Sequence, residues 1–370
     1  MINEMLDKLK SQVRQSIALQ QQGEIFKAFL GYELAFEALS YYDDLGYTQQ
    51  TESIRNVALA AQPTPEMTLY CHGLILYYRK QYPAALETIC SALQLCPNSP
   101  ELQLLKGKTQ VALGDFKNAY ETCLQMQDAG DLSFFLAAER EMPGEDYYHW
   151  LQLFHFWLAP ATYVEIGLGH GRSLALAGPK TRAIGIDPYQ GFWERLNYVS
   201  PHTPATLFPL ASDDFFVQHD LTNVLGQSTF DLAFIDGLHL FEQVLKDFIN
   251  LERYARKDSV VLIHDCLPIA PVVAKRERCT GFWTGDVWRI IPCLKTFRPD
   301  LEIFTIPTKP SGLAVVSGLD SESTVLAENY QAIVDYYLGL NLPESTNDRF
   351  RLLNVKLDGC DGIAAKFARQ

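Results

Sequence analysis

Val164-Glu165-Ile166-Gly167-Leu168-Gly169-His170-Gly171 joins an apolar strand to a glycine-rich turn, and Asp187 closes the next apolar run. Glycines without β-carbons let the backbone approach a ligand closely at such a turn, and a carboxylate ending the second strand of a doubly wound sheet can accept both hydroxyls of a ribose. The pairing points to a nucleotide-like ligand. The third glycine follows the second by two residues rather than three, and an acid, Glu165, precedes the first. This spacing departs from the dinucleotide fingerprint G-x-G-x-x-G and favours a ligand without a pyrophosphate, which counts against a nicotinamide-dependent oxidoreductase.

From Ala161 onward, short apolar runs alternate with helical segments, the signature of an α/β fold with mostly parallel strands. The strands read as Thr162–Gly167, Arg182–Asp187, a poorly defined one near Thr206–Leu210, Phe230–Asp236, Ser259–His264, Leu301–Ile306 and Leu313–Ser317. Helices are predicted over Leu240–Arg256 and Asp286–Phe297, and again in the tail from Ser321 to Leu340.

Two further strand ends carry polar residues that an apolar strand has no need of: Asp236-Gly237-Leu238-His239 and His264-Asp265-Cys266. In a doubly wound sheet the ligand lies outside the carboxyl ends of the strands, at the switch point beside the first strand. With these as the fourth and fifth strands, their ends face the same crevice as the glycine turn.

Taken together, Glu165 to Gly171, Ile186-Asp187, Phe234-Ile-Asp-Gly-Leu-His239 followed by Val244 and Asp247, Ile263-His-Asp265, and Gly285-Asp-Val-Trp288 resemble the class I S-adenosylmethionine-dependent methyltransferases. The closest resemblance is to the branch with D-G-x-H and H-D motifs, related to small-molecule and sugar O-methyltransferases. It covers about Trp150 to Leu319. What it implies is a Rossmann-like seven-stranded sheet, S-adenosyl-L-methionine as cofactor, and methylation of a small hydroxylated acceptor such as a sugar or secondary metabolite. The implied cofactor residues are Gly167, Gly169 and Gly171 against the methionine part, Glu165 orienting the turn or meeting the amino group, Asp187 on the ribose, Ser212 and Asp213 near the adenine, and Asp236. The plainer readings are a turn-stabilising acid for Glu165 and a helix N-cap for Asp187.

A sulfonium methyl is already electrophilic, so the protein must align the acceptor and remove its hydroxyl proton. Asp236, His239, His264 and Asp265 are the candidate catalytic groups. Related enzymes hold a divalent ion at these strand ends, which implies Asp236, His264 and Asp265 as metal ligands, with His264 or His239 completing the set. Imidazole is a poor ligand for magnesium and an acceptable one for manganese, iron or zinc. The alternatives are a metal-free site with a histidine as general base, or a structural cluster in which Asp236 caps a helix and His264-Asp265 stiffens a loop. The segment Ala274–Asp286, with Lys275, Arg276, Arg278, Phe282 and Trp283, reads either as an acceptor-binding lid or as a charged, solvated loop.

The first half has a different grammar. From about Ser11 to Asp131 it is helical, and Gly73, Tyr82 and Ala85 recur 34 residues later as Gly107, Phe116 and Ala119, with Ala92 and Pro97 completing the first copy. The pattern resembles the tetratricopeptide repeat, whose small residues let paired helices approach. A weaker copy lies at Gly23, Ile25, Ala28 and Ala35, and Met126 stands where the second full copy would have a small residue. The repeats read equally as a protein-binding surface and as an architectural or dimerising element, so a scaffold with a silent methyltransferase fold, or methylation of a protein the repeats recruit, are the competing functions. The expected domains are 1–131, helical repeats; 132–160, an aromatic-rich joint containing Met142-Pro143-Gly144; 161–319, the methyltransferase domain; and 320–370, a helical extension.

The formal net charge of -13 opposes a nucleic-acid backbone as partner. Met1 to Gln22 is polar, with Lys8, Lys10 and Arg14 interleaved and no unbroken apolar core, and no eighteen-residue apolar span occurs, so neither signal peptide nor membrane helix is expected and the cytoplasm is the default compartment. The eight cysteines contain no C-x-x-C pair, which excludes the usual zinc spacings and points to reduced, partly buried thiols. The expected partners are a small-molecule acceptor, a protein on the repeats, and a second copy of the chain.

Overall fold

A computed structural model describes residues 2–126, 130–142, 144–189, 196–198 and 205–367; Pro143 of the expected joint lies outside them. The chain divides into two compact units, Met1–Leu136 with Asn197–Val199, and Ala137–Leu196 with Ser200–Gln370.

The first unit is built from helices α1 (Ile2–Gln21), α2 (Ile25–Asp44), α3 (Thr48–Ala60), α4 (Pro65–Tyr78), α5 (Tyr82–Leu95), α6 (Pro100–Ala112) and α7 (Phe116–Gln125). Starts are coded locally: Ser99 accepts a hydrogen bond from the Leu102 backbone ahead of Pro100, and Asp115 accepts one from Asn118. Tyr82 and Phe116 each open the second helix of a hairpin, α4–α5 and α6–α7. Gly73 makes the first hairpin tight, since a β-carbon there would lie 2.9 Å from the Ile89 side chain. Ala85 and Ala92 are fully buried on the facing helix. The segment at Asn197–Tyr198 joins this unit through a Tyr42 hydroxyl donating to the Asn197 carbonyl at 3.0 Å and through Tyr198 packed edge-on against Tyr41.

The second unit holds one seven-stranded sheet: β1 (Thr162–Ile166), β2 (Arg182–Ile186), β3 (Thr206–Phe208), β4 (Leu232–Ile235), β5 (Val260–His264), β6 (Glu302–Ile306) and β7 (Leu313–Ser317), in the order β3-β2-β1-β4-β5-β7-β6. Six strands run parallel and β7 runs antiparallel between β5 and β6. β1, β4, β5 and β7 are buried at every position, as expected of strands covered on both faces. The order reverses at β1, where the strand after β3 returns to its other side, so the switch point lies between β1 and β4. Ile166, Ile235 and Ile263 stand side by side in register. The residues that follow them, Gly167, Asp236 and His264, therefore come to one edge. All seven expected strands are present, six of them shortened by one to three residues and Leu313–Ser317 unchanged; the tail helices are Val325–Glu328, Tyr330–Leu338, Thr346–Leu352 and Cys360–Phe367.

Helices α8 (Gly130–Glu141) and α9 (Tyr147–Leu158) occupy the aromatic-rich stretch. α9 is capped by Asp146, whose side chain accepts from the His149 backbone at 3.0 Å. On its buried face His155 meets the Tyr163 ring edge-on at 4.6 Å, and neither of its ring nitrogens has a hydrogen-bond partner among the described residues. Burial pushes the His155 pKa down from 6.5 to about 4. The folded protein keeps this ring neutral while the unfolded chain takes up the proton. Its stabilising share is thus intact above the unfolded value and is lost as pH falls from 6.5 toward 4, a cost on the order of 3 kcal/mol. In His155→Leu, urea unfolding measured at pH 7.5 and pH 4.5 is expected to lose less stability between the two than the parent by that amount; an identical loss would place the acid sensitivity elsewhere.

All eight cysteines are free, and Cys71, Cys123, Cys266 and Cys293 are buried. Among the described residues no helix is long and apolar enough to cross a membrane.

Candidate active site

The turn after β1 is held from three sides. Gly167 N donates to the Ile186 carbonyl at 2.9 Å, and Leu168 N donates to Asp187 Oδ2 at 3.0 Å. Glu165 lies beneath, fully buried, accepting from the hydroxyls of Tyr163 and Ser173. Burial pushes its carboxyl up to about 8 against those two bonds. Glu165 does not border the cavity. Of its two expected roles, this contact pattern supports that of holding the turn. Asp187 Oδ1 accepts from Tyr189 N at 3.0 Å, a local turn, and the residue borders the cavity.

That cavity, about 720 Å³, is bordered by Gly167, Gly169, Asp187, Ser212, Asp213, Asp236, His239, His264 and Asp265. It therefore gathers every sequence-derived candidate except Glu165 and Gly171. Ser212 and Asp213 begin the helix Ser212–Gln218 and are fixed by helix Phe241–Glu252: Ser212 Oγ donates to Asp247 Oδ1 at 2.5 Å, and Gln243 Nε2 reaches Asp213 Oδ1 at 3.0 Å. Burial raises the Asp247 carboxyl to about 6.

Beyond β4 and β5 the charged residues converge. His239 lies with Nδ1 3.0 Å from Asp265 Oδ2 and Nε2 3.5 Å from Asp236 Oδ1. Asp236 also faces His264 Nδ1 at 3.2 Å. Burial favours a neutral Asp236, but His264 and then His239 outweigh it and hold the carboxyl below its usual range. Burial likewise lowers His239, and Asp265 followed by Asp236 outweigh it, raising the imidazole to about 9. Burial keeps Asp265 above its ordinary value.

One ligand atom each from Asp236, His239 and Asp265 lie within 4.8 Å of one another, a set of two carboxylates and one imidazole able to hold a divalent ion. Of the two histidines expected to complete such a set, the grouping among the described residues includes His239 and not His264. His264 is instead sandwiched: the Tyr147 ring stacks on it at 3.9 Å, and Ser311 Oγ lies 3.4 Å from its Nε2. The helix cap that the structural alternative assigned to Asp236 belongs to Asp286, which accepts from Phe241 N at 2.8 Å and pairs with Arg276 and Arg289.

Tyr147 and Ser311 are the site residues that sequence reasoning missed. Ser311 Oγ donates to Asp265 Oδ1 at 2.5 Å, and Tyr147 N donates to the Lys309 carbonyl at 3.0 Å, so the loop before β7 and the start of α9 brace the cluster together. Tyr147 had a signal, its place in an aromatic stretch beside the first strand; Ser311 had none.

Residues 164–266 match the family model described as a methyltransferase domain. With this match and its strand order, the α/β unit is a methyltransferase domain of class I fold. Solved structures similar to the chain include the O-methyltransferase TomG from Streptomyces achromogenes, involved in tomaymycin synthesis and in complex with SAM (17% identity, 55% of this chain and 96% of that one, TM-score 0.36). Others are an O-methyltransferase from Bacillus cereus in complex with SAH (14%, 52% and 93%, 0.33) and an SAH-bound methyltransferase from Podospora anserina (12%, 55% and 88%, 0.37). No curated protein matches the chain.

Proposed function

We propose that the α/β unit transfers the methyl group of S-adenosylmethionine to a hydroxyl of a small acceptor. The observation that carries this reading is the Asp236, His239 and Asp265 cluster bordering the same cavity as the glycine turn. The cofactor fits the turn in one testable respect: a β-carbon at Gly169 would meet no atom within 4 Å, so the missing side chain leaves open space. Gly167 and Gly169 would lie against the methionine part, Asp187 would hold the ribose hydroxyls, and Ser212 with Asp213 would border the adenine. Bound there, S-adenosylmethionine supplies an electrophilic methyl group, and the chain's task is to hold the acceptor in line and take its proton.

The convergence of two carboxylates and one imidazole on one point favours the metal-assisted alternative over a histidine base. Asp236, His239 and Asp265 would hold the ion, with manganese, iron or zinc better suited than magnesium to the imidazole, and such an ion lowers the pKa of an acceptor hydroxyl. The helical hairpins support a tetratricopeptide-like reading of the first unit, through the close approach at Gly73 and the aromatics that open each second helix.

The test is calorimetric. S-adenosylhomocysteine is expected to bind the purified chain, and Asp187→Ala to weaken it about tenfold or more, because a charged acceptor to the ligand is lost together with the bond that holds Leu168. No binding by the parent chain, or equal binding by the variant, would overturn the reading.

A further inference from the structure

Two arginines on the segment 274–286 have opposite surroundings. Arg276 is neutralised twice, by Glu242 at 2.6 Å and by Asp286 at 2.8 Å. Arg278 borders the cavity and meets no carboxylate among the described residues. Its Nη2 donates to the Gly281 carbonyl at 2.9 Å and its Nε to the Thr280 carbonyl at 3.4 Å. Two neutral carbonyls thus orient the guanidinium without cancelling its charge.

The segment is built rather than loose. Trp283 Nε1 donates to the Lys275 carbonyl at 2.6 Å, Thr280 Oγ1 to the Phe282 carbonyl at 2.6 Å, and Thr284 N to the Val273 carbonyl at 3.0 Å. The Trp283 ring stacks on His239 at 5.2 Å. One segment therefore brings a cation and a flat aromatic surface to the cavity that holds the acid and imidazole cluster. Asp187, Asp213, Asp236, Asp247 and Asp265 also border that cavity and repel an anion; Arg278 is the lining arginine or lysine that attracts one.

Resting on the methyl-transfer reading above, we propose that Arg278 anchors an anionic oxygen group on the acceptor, a carboxylate or a phosphate, distinct from the hydroxyl that is methylated. The acceptor is then a negatively charged, hydroxylated small molecule recognised by a charge-assisted hydrogen bond.

The experiment uses the full chain saturated with S-adenosylhomocysteine, whose own titration reports separately on the methyl-transfer reading. Three catechols with the same ring and a carboxylate, a phosphate ester or a hydroxymethyl group at one position are titrated in by calorimetry. At least one anionic compound is expected to bind about tenfold more tightly than the neutral one, and the tighter of the two names the source of the charge. Arg278→Gln, a change at an exposed position, is expected to reduce that compound to the level of the neutral one with S-adenosylhomocysteine affinity unchanged. Equal binding of all three, binding of none to the loaded protein, or a preference that survives in Arg278→Gln would overturn the proposal.

Discussion

Asp265→Asn is expected to lower the turnover of methyl transfer by on the order of 10²- to 10⁴-fold while the protein remains folded and binds S-adenosylhomocysteine as before. The substitution is chosen for its backbone. Asp265 sits at φ +59, the left-handed region that asparagine tolerates at least as well as aspartate, so the turn after β5 survives. The amide oxygen can still accept from Ser311 at the position of Oδ1. What disappears is the charge at Oδ2, 3.0 Å from His239 Nδ1, which is the strongest influence holding the imidazole up. The cluster loses one of two carboxylates, and with it the means of drawing a proton from the acceptor or of holding an ion beside it. Single-turnover transfer from labelled S-adenosylmethionine, with circular dichroism and calorimetry as controls, measures the effect. Transfer within threefold of the parent would show the cluster to be a brace rather than the reacting site.

The parts of this site that can be read from the sequence are those fixed by the backbone that carries them. Gly167 and Asp187 end adjacent strands, and Asp236 and His264 end the next two; once the order of strands is known, their meeting at one edge follows from register alone. The roles of His239 and His264 do not follow in this way. Each histidine stands near one acid in the sequence, His239 near Asp236 and His264 beside Asp265, and only packing shows that Tyr147 and Ser311 enclose one while Trp283 stacks on the other. Those neighbours come from three distant segments, which no local spacing relates. The same limit applies to Asn197–Tyr198. They belong with the helices because of a hydroxyl on Tyr42 and a ring on Tyr41, contacts that leave no periodic trace.

Gly167→Ala is expected to cost several kcal/mol of stability and to abolish cofactor binding, whereas Gly169→Ala is expected to fold and lose binding alone. Both glycines have positive φ, +84 and +50, so each alanine carries a penalty of about 1–2 kcal/mol for the left-handed conformation. Space separates them. A β-carbon at Gly167 would lie 2.1 Å from the Asp236 carbonyl oxygen and 2.5 Å from the Gly237 α-carbon, both backbone atoms of the turn that follows β4. Nothing flexible can yield there. Either β1 and β4 part at their carboxyl ends, breaking the bond from Asp236 N to the Ile166 carbonyl at 2.8 Å, or the turn is displaced. At Gly169 the β-carbon meets no protein atom, so under the proposed reading its steric cost falls on the cofactor alone. Chemical unfolding would separate the two variants by stability, and S-adenosylhomocysteine calorimetry would join them by loss of affinity. A Gly169→Ala chain that bound as tightly as the parent would show that the ligand does not lie against this turn, even if the sheet edge remained the site of chemistry.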